Sequence, residues 1–511
     1  MNKKKITKII LLIVVTLMVS ATLIGCGGGS SDKSSGGGGE KVVTFARPED
    51  VQFWDPHDHF NLVSWIIGRC IYDTLVERDE NGKIVPALAT EWKSSNDGKE
   101  WTFKLRQGVK FHNGEEFNAE SVKVSLERFI SSTPLRQKPL WVSLTGVEVV
   151  DPYTVTIKFS QPNGAVLSAL TLTAMIPPKA YKEKGTKLFE HPIGSGPFEF
   201  VEWVQGQKIT LKRFDGYWGK KPNVDKIVYL PIIEDSTRIA GVQTGNIDIA
   251  DTIPPDQAKS LANDAKLEVI RNLSWDQIYL GFKCDKPPFN DKRVREAVSL
   301  GLNREEIVKQ VLDGGRVATG LVPQGVLGFD NSAQPVKRDV EKAKKLLAEA
   351  GYNSEYKINL IAPQGWYPKT NEVLQAIKAQ LAEIGMNVNI NILDGAAFAE
   401  KRAAGNYDIY YTGGSHPGGD PDLYFYQRVH DDAMKSGYKN ETLNALIEKG
   451  RQAIDPSMRE DFYRQAQQII NSECAPMIFL YQMENIYLVR KGVTGAVFSG
   501  DKIVDLRYVN K

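Results

Sequence analysis

The residues best suited to bind a ligand lie in one glycine-rich segment, residues 410–422, which reads Tyr-Tyr-Thr-Gly-Gly-Ser-His-Pro-Gly-Gly-Asp-Pro-Asp. It follows the end of a predicted strand, where α/β folds bind their ligands. Glycine lets the backbone approach a ligand closely, and the polar side chains can form hydrogen bonds. The alternative is a tight surface loop whose aspartates, Asp422 above all, cap a following helix. We predict ligand contacts from Tyr411, Gly413, Gly414, Ser415, His416 and Asp420.

A second candidate segment, residues 362–369, also leaves a predicted strand and leads into a predicted helix. Its Trp366 and Tyr367 could stack on the side chains of a peptide, or they could only pack the loop. Trp275, just before another predicted strand, is a weaker candidate. We retain all three as predicted ligand contacts.

Catalytic and nucleotide-binding motifs are absent from the sequence. We find no Gly-x-Ser-x-Gly, no His-Glu-x-x-His and no Gly-x-x-x-x-Gly-Lys-Ser/Thr. A secreted hydrolase is therefore disfavoured, and we predict a binding protein rather than an enzyme. His57 and His59 alternate as metal ligands can, but we interpret them as solvent-exposed loop residues. We expect neither a resident metal nor a cofactor.

Cys26 is the residue whose surroundings indicate covalent chemistry. It follows several lysines and an apolar run from Ile9 to Ile24, which is shorter than the roughly 20 residues of a bilayer span and typical of a secretory signal. The preceding Leu-Ile-Gly resembles the lipobox of bacterial lipoproteins, in which the cysteine thiol receives a diacylglyceryl group and becomes the new N-terminus. The alternative is an ordinary secreted protein in which this cysteine is incidental.

The residues after Cys26 are almost all Gly and Ser as far as Gly39, a composition typical of a flexible tether. We therefore predict a signal peptide over residues 1–25 and a tether over residues 26–40. Acylation would anchor the protein to the cell membrane at its extracellular face, or at its periplasmic face in a cell with an outer membrane.

Composition narrows the classes of partner. The chain has 511 residues and a formal net charge of +2, with no basic stripe that would indicate nucleic acid as a partner. Cys70, Cys284 and Cys474 are far apart and odd in number, so we interpret them as three buried thiols rather than a zinc cluster or a disulfide framework. We expect a monomer.

Hydrophobic periodicity predicts the elements that position these segments. Helical spacing occurs at 61–76, 118–129, 236–243, 295–302, 305–312, 340–350 and 372–384. Strand-like runs occur at 42–45, 100–105, 208–213, 226–231, 278–282, 357–361, 387–393 and 408–411. Strands alternate with helices from Val294 onward, which predicts an α/β fold with a mostly parallel sheet covered by helices on both sides.

Over nearly its whole mature length, the chain resembles the extracellular solute-binding proteins of family 5, which includes dipeptide-, oligopeptide- and nickel-binding lipoproteins. The resemblance rests on short blocks that occur in the family's order, each of them weak by itself. They are Pro86–Ala89, Asp97–Arg106, Gly108–Gly114, Gly194–Phe198, Tyr217–Pro222, Gly245–Asp248, Pro288–Ala297, Ala343–Gly351, Ile384–Met386 and Gly419–Asp422.

The resemblance implies a two-lobed fold of the periplasmic-binding-protein type II class, with an inserted small domain and a two-strand hinge. Lobe I would be discontinuous, and the crossovers would lie near Cys284 and near residues 486–490. The implied bounds are 41–59, 191–283 and 488–511 for lobe I, 60–190 for the inserted domain and 284–487 for lobe II.

In such a protein the two lobes close on the ligand, and the loaded form delivers it to the permease and ATPase subunits of an ATP-binding-cassette (ABC) importer. The resemblance implies a small peptide as ligand. Two departures argue against a bare dipeptide: Pro417 stands where the dipeptide-binding branch has an Asp for the amine, and residues 358–371 contain no Arg for the carboxylate. A metal chelate, supported by His416, and an adhesin or signalling receptor remain the alternatives.

Overall fold

A computed structural model describes residues 39–79, 82–131, 134–430 and 436–511. The predicted signal peptide, Cys26 and most of the predicted tether lie outside these residues. Residues from Lys41 onward form one compact unit. None of the helices in the described ranges combines the length and the apolar character needed to cross a bilayer.

The strands of the described residues lie in one large sheet and three small ones. They are β1 (Val42–Arg47), β2 (Val76–Arg78), β3 (Ile84–Pro86), β4 (Ala89–Ser94), β5 (Glu100–Leu105), β6 (Leu144–Asp151), β7 (Thr154–Phe159), β8 (Phe198–Val204), β9 (Lys208–Arg213), β10 (Lys226–Pro231), β11 (Ile249–Ala250), β12 (Leu267–Phe282), β13 (Arg316–Val317), β14 (Lys357–Pro363), β15 (Asn387–Leu393), β16 (Ile409–Gly414), β17 (Met477–Arg490), β18 (Val497–Phe498) and β19 (Val504–Asp505).

The helices are α1 (Leu62–Ile71), α2 (Ala119–Glu127), α3 (Val166–Leu170), α4 (Pro178–Lys184), α5 (Asp235–Thr244), α6 (Pro255–Leu261), α7 (Lys292–Gly301), α8 (Arg304–Glu306), α9 (Val340–Glu349), α10 (Thr370–Glu383), α11 (Gly395–Ala404), α12 (Asp422–Arg428), α13 (Glu441–Gln452) and α14 (Pro456–Glu473). Short 3₁₀ turns occur at Lys138–Trp141, Gly185–Glu190 and Pro417–Gly419. A π-helical turn, Ile307–Leu312, continues α8.

Two long antiparallel strands, β12 and β17, lie side by side in the middle of the large sheet. β12 pairs with β17 from Leu267 opposite Arg490 to Gly281 opposite Met477, with a bulge between Leu273 and Gln277. The large sheet has the order β15-β14-β16-β12-β17-β11-β1-β10-β9-β8. The crossing pair therefore joins the strands of both lobes. The mixed α/β architecture is the two-lobed one that the resemblance implies.

The lobe II part of this sheet is covered on both faces. Successive residues of a strand point to opposite faces, and in β14 Leu360 enters one apolar core while Ile361 enters the other. In the same way Ile409 and Tyr410 of β16 enter different cores. This two-sided burial explains why these strands read as continuous apolar runs in the sequence.

The segment predicted to be an inserted domain has its own sheet, β4-β5-β7-β6, and its own apolar core. Trp101 and Phe103 of β5 alternate toward that core, as the sequence predicts, and Asn118 caps the following helix α2. The domain bounds given above stay a prediction.

Several predicted elements have the observed bounds, among them β5, β9, β10 and β15. The predicted strand at 278–282 is only the end of β12, which begins at Leu267. The residues before 278 alternate less clearly between apolar and polar, but they also pair with β17. The predicted helix at 305–312 is instead α8 followed by the π-helical turn.

The prediction that His57 and His59 are solvent-exposed was wrong. His57 and His59 are 0 % and 2 % exposed. His57 Nε2 lies 2.8 Å from the carbonyl oxygen of Ala174, and its Nδ1 accepts from the Arg128 guanidinium at 2.8 Å. The two rings are therefore buried packing groups. The prediction of three buried, unpaired thiols at Cys70, Cys284 and Cys474 is confirmed.

Gly194 is a position where the chain requires glycine. A Cβ there would lie 2.0 Å from the carbonyl oxygen of Ile71, where the chain returns from the predicted inserted domain to lobe I. We expect Gly194→Ala to lower the free energy of unfolding by about 1–3 kcal/mol through overpacking against backbone. Gly146→Ala is the control, since a Cβ at Gly146 has no neighbour within 4 Å. Urea unfolding measures both; equal midpoints for the two variants would contradict the prediction.

Candidate ligand-binding cleft

A cleft of about 500 Å³ opens where the three predicted domains meet. This volume lies within the range of roughly 300–1,000 Å³ that is typical of small-molecule sites. Phe60, Leu62, Trp65 and Leu172 of the predicted inserted domain form its apolar wall. The other lining residues are Arg47, Glu49, Asp276, Tyr367, Gly413, Gly414, Ser415, Leu423, Tyr424, Gln427, Arg428, Asp501, Lys502 and Ile503.

The two candidate segments of the sequence lie together because two strands run parallel. Leu360 of β14 is opposite Ile409 of β16, so both strands end at the same edge of the sheet. The loops that follow Pro363 and Gly414 meet there. Four of the predicted contacts consequently line the cleft, namely Tyr367, Gly413, Gly414 and Ser415.

The side chain of Tyr367 is held by the end of β16. Its phenol oxygen accepts from the Gly413 amide at 2.7 Å and lies 3.1 Å from the Thr412 hydroxyl. Burial raises the pKa of Tyr367 to about 12, so the phenol is neutral at pH 7. The ring therefore forms a rigid, uncharged part of the cleft wall.

The glycines of the 410–422 segment are required by packing inside the protein. A Cβ on Gly414 would lie 2.0 Å from the Tyr424 ring, and one on Gly413 would lie 2.6 Å from Ile278 Cδ1. Tyr424 is 4 % exposed and stacks on His416 at 4.4 Å. Gly414 thus lets Tyr424 reach the cleft wall, and Gly413 leaves room for Ile278.

Four predicted contacts lie outside the lining of the cleft. Tyr411 is buried, and its hydroxyl oxygen is 2.7 Å from that of Tyr481. His416 is 0 % exposed, with Nδ1 3.3 Å from the Trp275 carbonyl oxygen, and burial lowers its pKa to about 4. Trp275 itself packs against the backbone of Gly419 and Gly500. Trp366 is half exposed and contacts the Phe398 ring at 5.6 Å.

Asp420, a fifth predicted contact, instead joins lobe II to the predicted inserted domain. Its carboxylate accepts from Arg459 at 2.7 and 3.0 Å, and from the Ser168 hydroxyl at 2.8 Å. Burial by itself would raise the pKa of Asp420, but the Arg459 guanidinium outweighs it and holds the pKa at about 2. With both oxygens satisfied inside the protein, this carboxylate is a structural group.

A second polar contact joins lobe II to the predicted inserted domain beside Asp420, and we call this line of contact between the two domains the seam. The Gly164 amide donates to the Arg451 carbonyl oxygen at 2.9 Å, and a Cβ at this glycine would lie 1.8 Å from the Ala453 carbonyl oxygen. Beyond the seam lies another cavity of about 440 Å³. A gap of about 20 Å³, lined by Leu140, Leu172 and Leu423 among others, shares lining residues with both that cavity and the cleft.

The sequence reasoning missed the charged residues of the cleft. Arg47 ends β1, Asp276 lies in the bulge of β12, Arg428 ends α12, and Asp501 and Lys502 occupy the turn between β18 and β19. No local motif marks these residues, and only the fold brings them together. The described residues contain no cluster of three or more His, Cys, Asp or Glu side chains that could hold a metal ion.

Comparison with known proteins assigns this architecture to a family. A profile described as bacterial extracellular solute-binding proteins, family 5 Middle, matches residues 83–436. The chain belongs to this family. It is therefore an extracellular solute-binding protein of ABC importers, a class of binding proteins rather than enzymes.

Three of the similar proteins are named for, or were solved with, glutathione or a peptide. The chain is 33% identical over 459 residues to the glutathione-binding protein GsiB of Salmonella typhi, covering 86% of this chain and 89% of that protein. It is similar to DppA of Helicobacter pylori in complex with the peptide STSA, with 26% identity, a TM-score of 0.77 and coverage of 92% and 99%. It is also similar to the oligopeptide-binding protein AppA of Bacillus subtilis with a nonapeptide, with 25% identity, a TM-score of 0.77 and the same coverage.

Removing the charge of Asp420 tests its structural role. We expect Asp420→Asn to lower the free energy of unfolding at pH 7 by about 3–5 kcal/mol, because Arg459 would stay buried without its partner. Ser168→Ala, which removes one neutral donor, is the control and should cost about 1 kcal/mol. Urea unfolding measures both variants.

The same variant carries a pH signature. The pKa of Asp420 is lowered from 3.8 to about 2, so its contribution, about 2 kcal/mol, is present above pH 4 and is lost as the pH falls toward 2. We therefore expect the difference in the free energy of unfolding between wild type and Asp420→Asn to be smaller at pH 3 than at pH 7. A constant difference between them would contradict the assigned pKa.

Proposed function

We propose that this protein captures a short peptide or a glutathione-like molecule in the cleft and presents it to the permease of its importer. The observation that carries the proposal is the cleft of about 500 Å³, whose lining combines apolar side chains, such as Trp65 and Leu172, with charged ones. Such a surface suits a ligand that has both apolar side chains and charged ends.

The size of the cleft favours a ligand of a few residues. Hydrogen bonds of Asp420 and Gly164 join lobe II to the predicted inserted domain, and the gap of about 20 Å³ beside them, which shares Leu172 and Leu423 with the cleft, has room for roughly one water molecule. A longer peptide would have to open this seam and extend into the second cavity. In the proposed site Tyr367, Gly413, Gly414 and Ser415 supply the lobe II surface.

The chelated-metal alternative has no support from the cleft. It depended on His416, whose ring stacks on Tyr424 behind the lining. We therefore retain the peptide assignment.

Thermal unfolding of the purified protein tests this assignment. The panel is glutathione, peptides of two to nine residues, and nickel–histidine. A ligand at 100 times its dissociation constant adds about 2.7 kcal/mol of stability, and we expect peptides of two to four residues or glutathione to raise the midpoint. The assignment fails if only the nickel chelate does so. A larger shift with the nonapeptide would contradict the size limit.

We further propose that the protein is anchored through a lipid on Cys26, with the Gly/Ser segment over residues 26–40 as its tether, and that it acts as a monomer. In cells that express the protein, Cys26→Ser should move it from the membrane fraction to the soluble fraction and abolish incorporation of labelled palmitate. Ser30→Ala, a change of similar size a few residues away, should alter neither. Membrane retention and labelling of the Cys26→Ser protein would exclude this anchor.

A further inference from the structure

Lysine side chains collect at the edge of lobe I where the chain enters it from the N-terminal segment. Val42, the first residue of β1, lies opposite Lys226 at the start of β10, and Lys226 lies opposite Lys212 near the end of β9. The loop that joins β9 to β10 at this edge carries Lys220 and Lys221. Several strands of the large sheet therefore begin or end together here, and their charged residues share one surface.

The end of β17 adds another lysine to this surface. Arg490 pairs with Asp248 at 2.7 Å, and the same carboxylate accepts from the Thr44 amide of β1 at 2.9 Å, so Lys491 follows directly beside β1. Among the described residues, no carboxylate side chain forms an ion pair with any of four exposed lysines at this edge. We call these four the basic face: Lys41, Lys220, Lys221 and Lys491.

The remaining charged side chains of this edge do not cancel the basic face. Its carboxylates are Glu40, Glu199, Asp215, Asp225, Asp248, Asp264 and Glu268. Its other cations are Lys212, Arg213, Lys226, Lys266, Arg490 and Lys511. Some of these are paired directly, as Arg213 is with Asp225 at 2.6 Å and Lys511 with Asp248 at 2.9 Å. With the basic face included, the cations at this edge outnumber the carboxylate side chains.

The length of chain between the proposed anchor and β1 keeps this edge close to the membrane. Residues 26–40 separate the thiol of Cys26 from Lys41. A chain of this length spans at most roughly 50 Å when fully extended. For its Gly/Ser composition the expected root-mean-square span is only about 20 Å. A lipid on Cys26 would therefore bring the basic face near the lipid headgroups more often than surfaces farther from Lys41.

We propose that the basic face rests on an anionic lipid surface while the protein waits for its ligand. This inference rests on the lipid anchor of the proposed function and deepens it by naming a further partner, the negatively charged headgroups around the anchor. Such headgroups attract lysines within about one Debye length, which is about 8 Å at physiological ionic strength. Each lysine held near an anionic bilayer strengthens the association by about fivefold.

Strand β1 determines where the cleft lies in this orientation. The strand begins at the basic face with Val42 and ends with Arg47, which lines the cleft. At the rise of a strand, its length separates the two by roughly 17 Å. The basic face and the cleft lining thus lie at opposite ends of one strand. A molecule that rests on the basic face holds this part of the cleft lining on the side away from the bilayer, where the ligand arrives.

The test places the acylated protein in vesicles of phosphatidylcholine alone, or of equal parts of phosphatidylcholine and phosphatidylglycerol. A neutral N-hydroxysuccinimide ester acetylates exposed lysines, and mass spectrometry gives the rate at each position. In the anionic vesicles we expect the four lysines of the basic face to react about threefold or more slowly than in the neutral ones. Salt at 1 M, which shortens the Debye length to about 3 Å, should remove this difference. Lys378 and Lys401, exposed on α10 and α11 of lobe II, should react alike in both.

Two double variants show whether the charges themselves are responsible. Lys220→Gln combined with Lys221→Gln should return the rates at Lys41 and Lys491 toward those in neutral vesicles. The matched control, Lys378→Gln combined with Lys401→Gln, should leave the slowing at the basic face unchanged. The melting midpoint shows whether each variant is folded.

The possible failures are distinguishable. Equal rates in the two kinds of vesicle would overturn this inference while leaving the anchor intact, and so would slowing at Lys378 and Lys401 as large as that at the basic face. It is also overturned if the Lys220 and Lys221 double variant keeps the full slowing. If the protein floats with neither kind of vesicle, the proposed anchor fails, and this inference with it. Peptide capture is measured separately by thermal unfolding and depends on none of these results.

Discussion

The pairing of β12 with β17 is the interaction on which the rest of this structure depends. These two strands carry the backbone from one lobe to the other, and their ladder runs from Leu267 and Arg490 at one end to Gly281 and Met477 at the other. Because backbone hydrogen bonds must be satisfied along a buried strand, the pair holds the two halves of the large sheet in a defined register. The bulge after Leu273 interrupts that register beside Asp276, a residue of the cleft. The bulge thus contributes Asp276 to the wall of the cleft.

The charged groups of this region divide into those that have a partner of opposite charge inside the protein and those that have none among the described residues. Asp420 with Arg459, and Asp276 with Lys502, are paired within the protein. A buried ion needs a partner, and these pairs supply it at contacts between distant segments. Arg428 and Asp501, which line the cleft together with Asp276 and Lys502, have no such partner among the described residues.

The charged residues of the cleft do not come from the positions at which the dipeptide-binding branch has them. The sequence has Pro417 where the dipeptide-binding branch has an Asp for the amine, and residues 358–371 contain no Arg, which argues against a bare dipeptide as ligand. The fold, however, brings charged side chains to the cleft from α12 and from the C-terminal turn. A binding protein can therefore keep the architecture of its family and take its charged groups from other elements.

The sequence by itself determined the family, the α/β class and most of the regular elements. Local periodicity fixes which residues of a strand or helix are buried, and strands such as β5 and β15 consequently have the bounds that their patterns predict. The sequence also indicated that the candidate segments 362–369 and 410–422 each follow a strand, and parallel strands end at the same edge of a sheet. Only the tertiary structure decided which side chains reach the cleft. Asp420 looks like a ligand-binding carboxylate until Arg459 and Ser168 are placed beside it. Whether a charge is available to a ligand depends on partners that are distant in the chain, and local patterns carry no information about those distances.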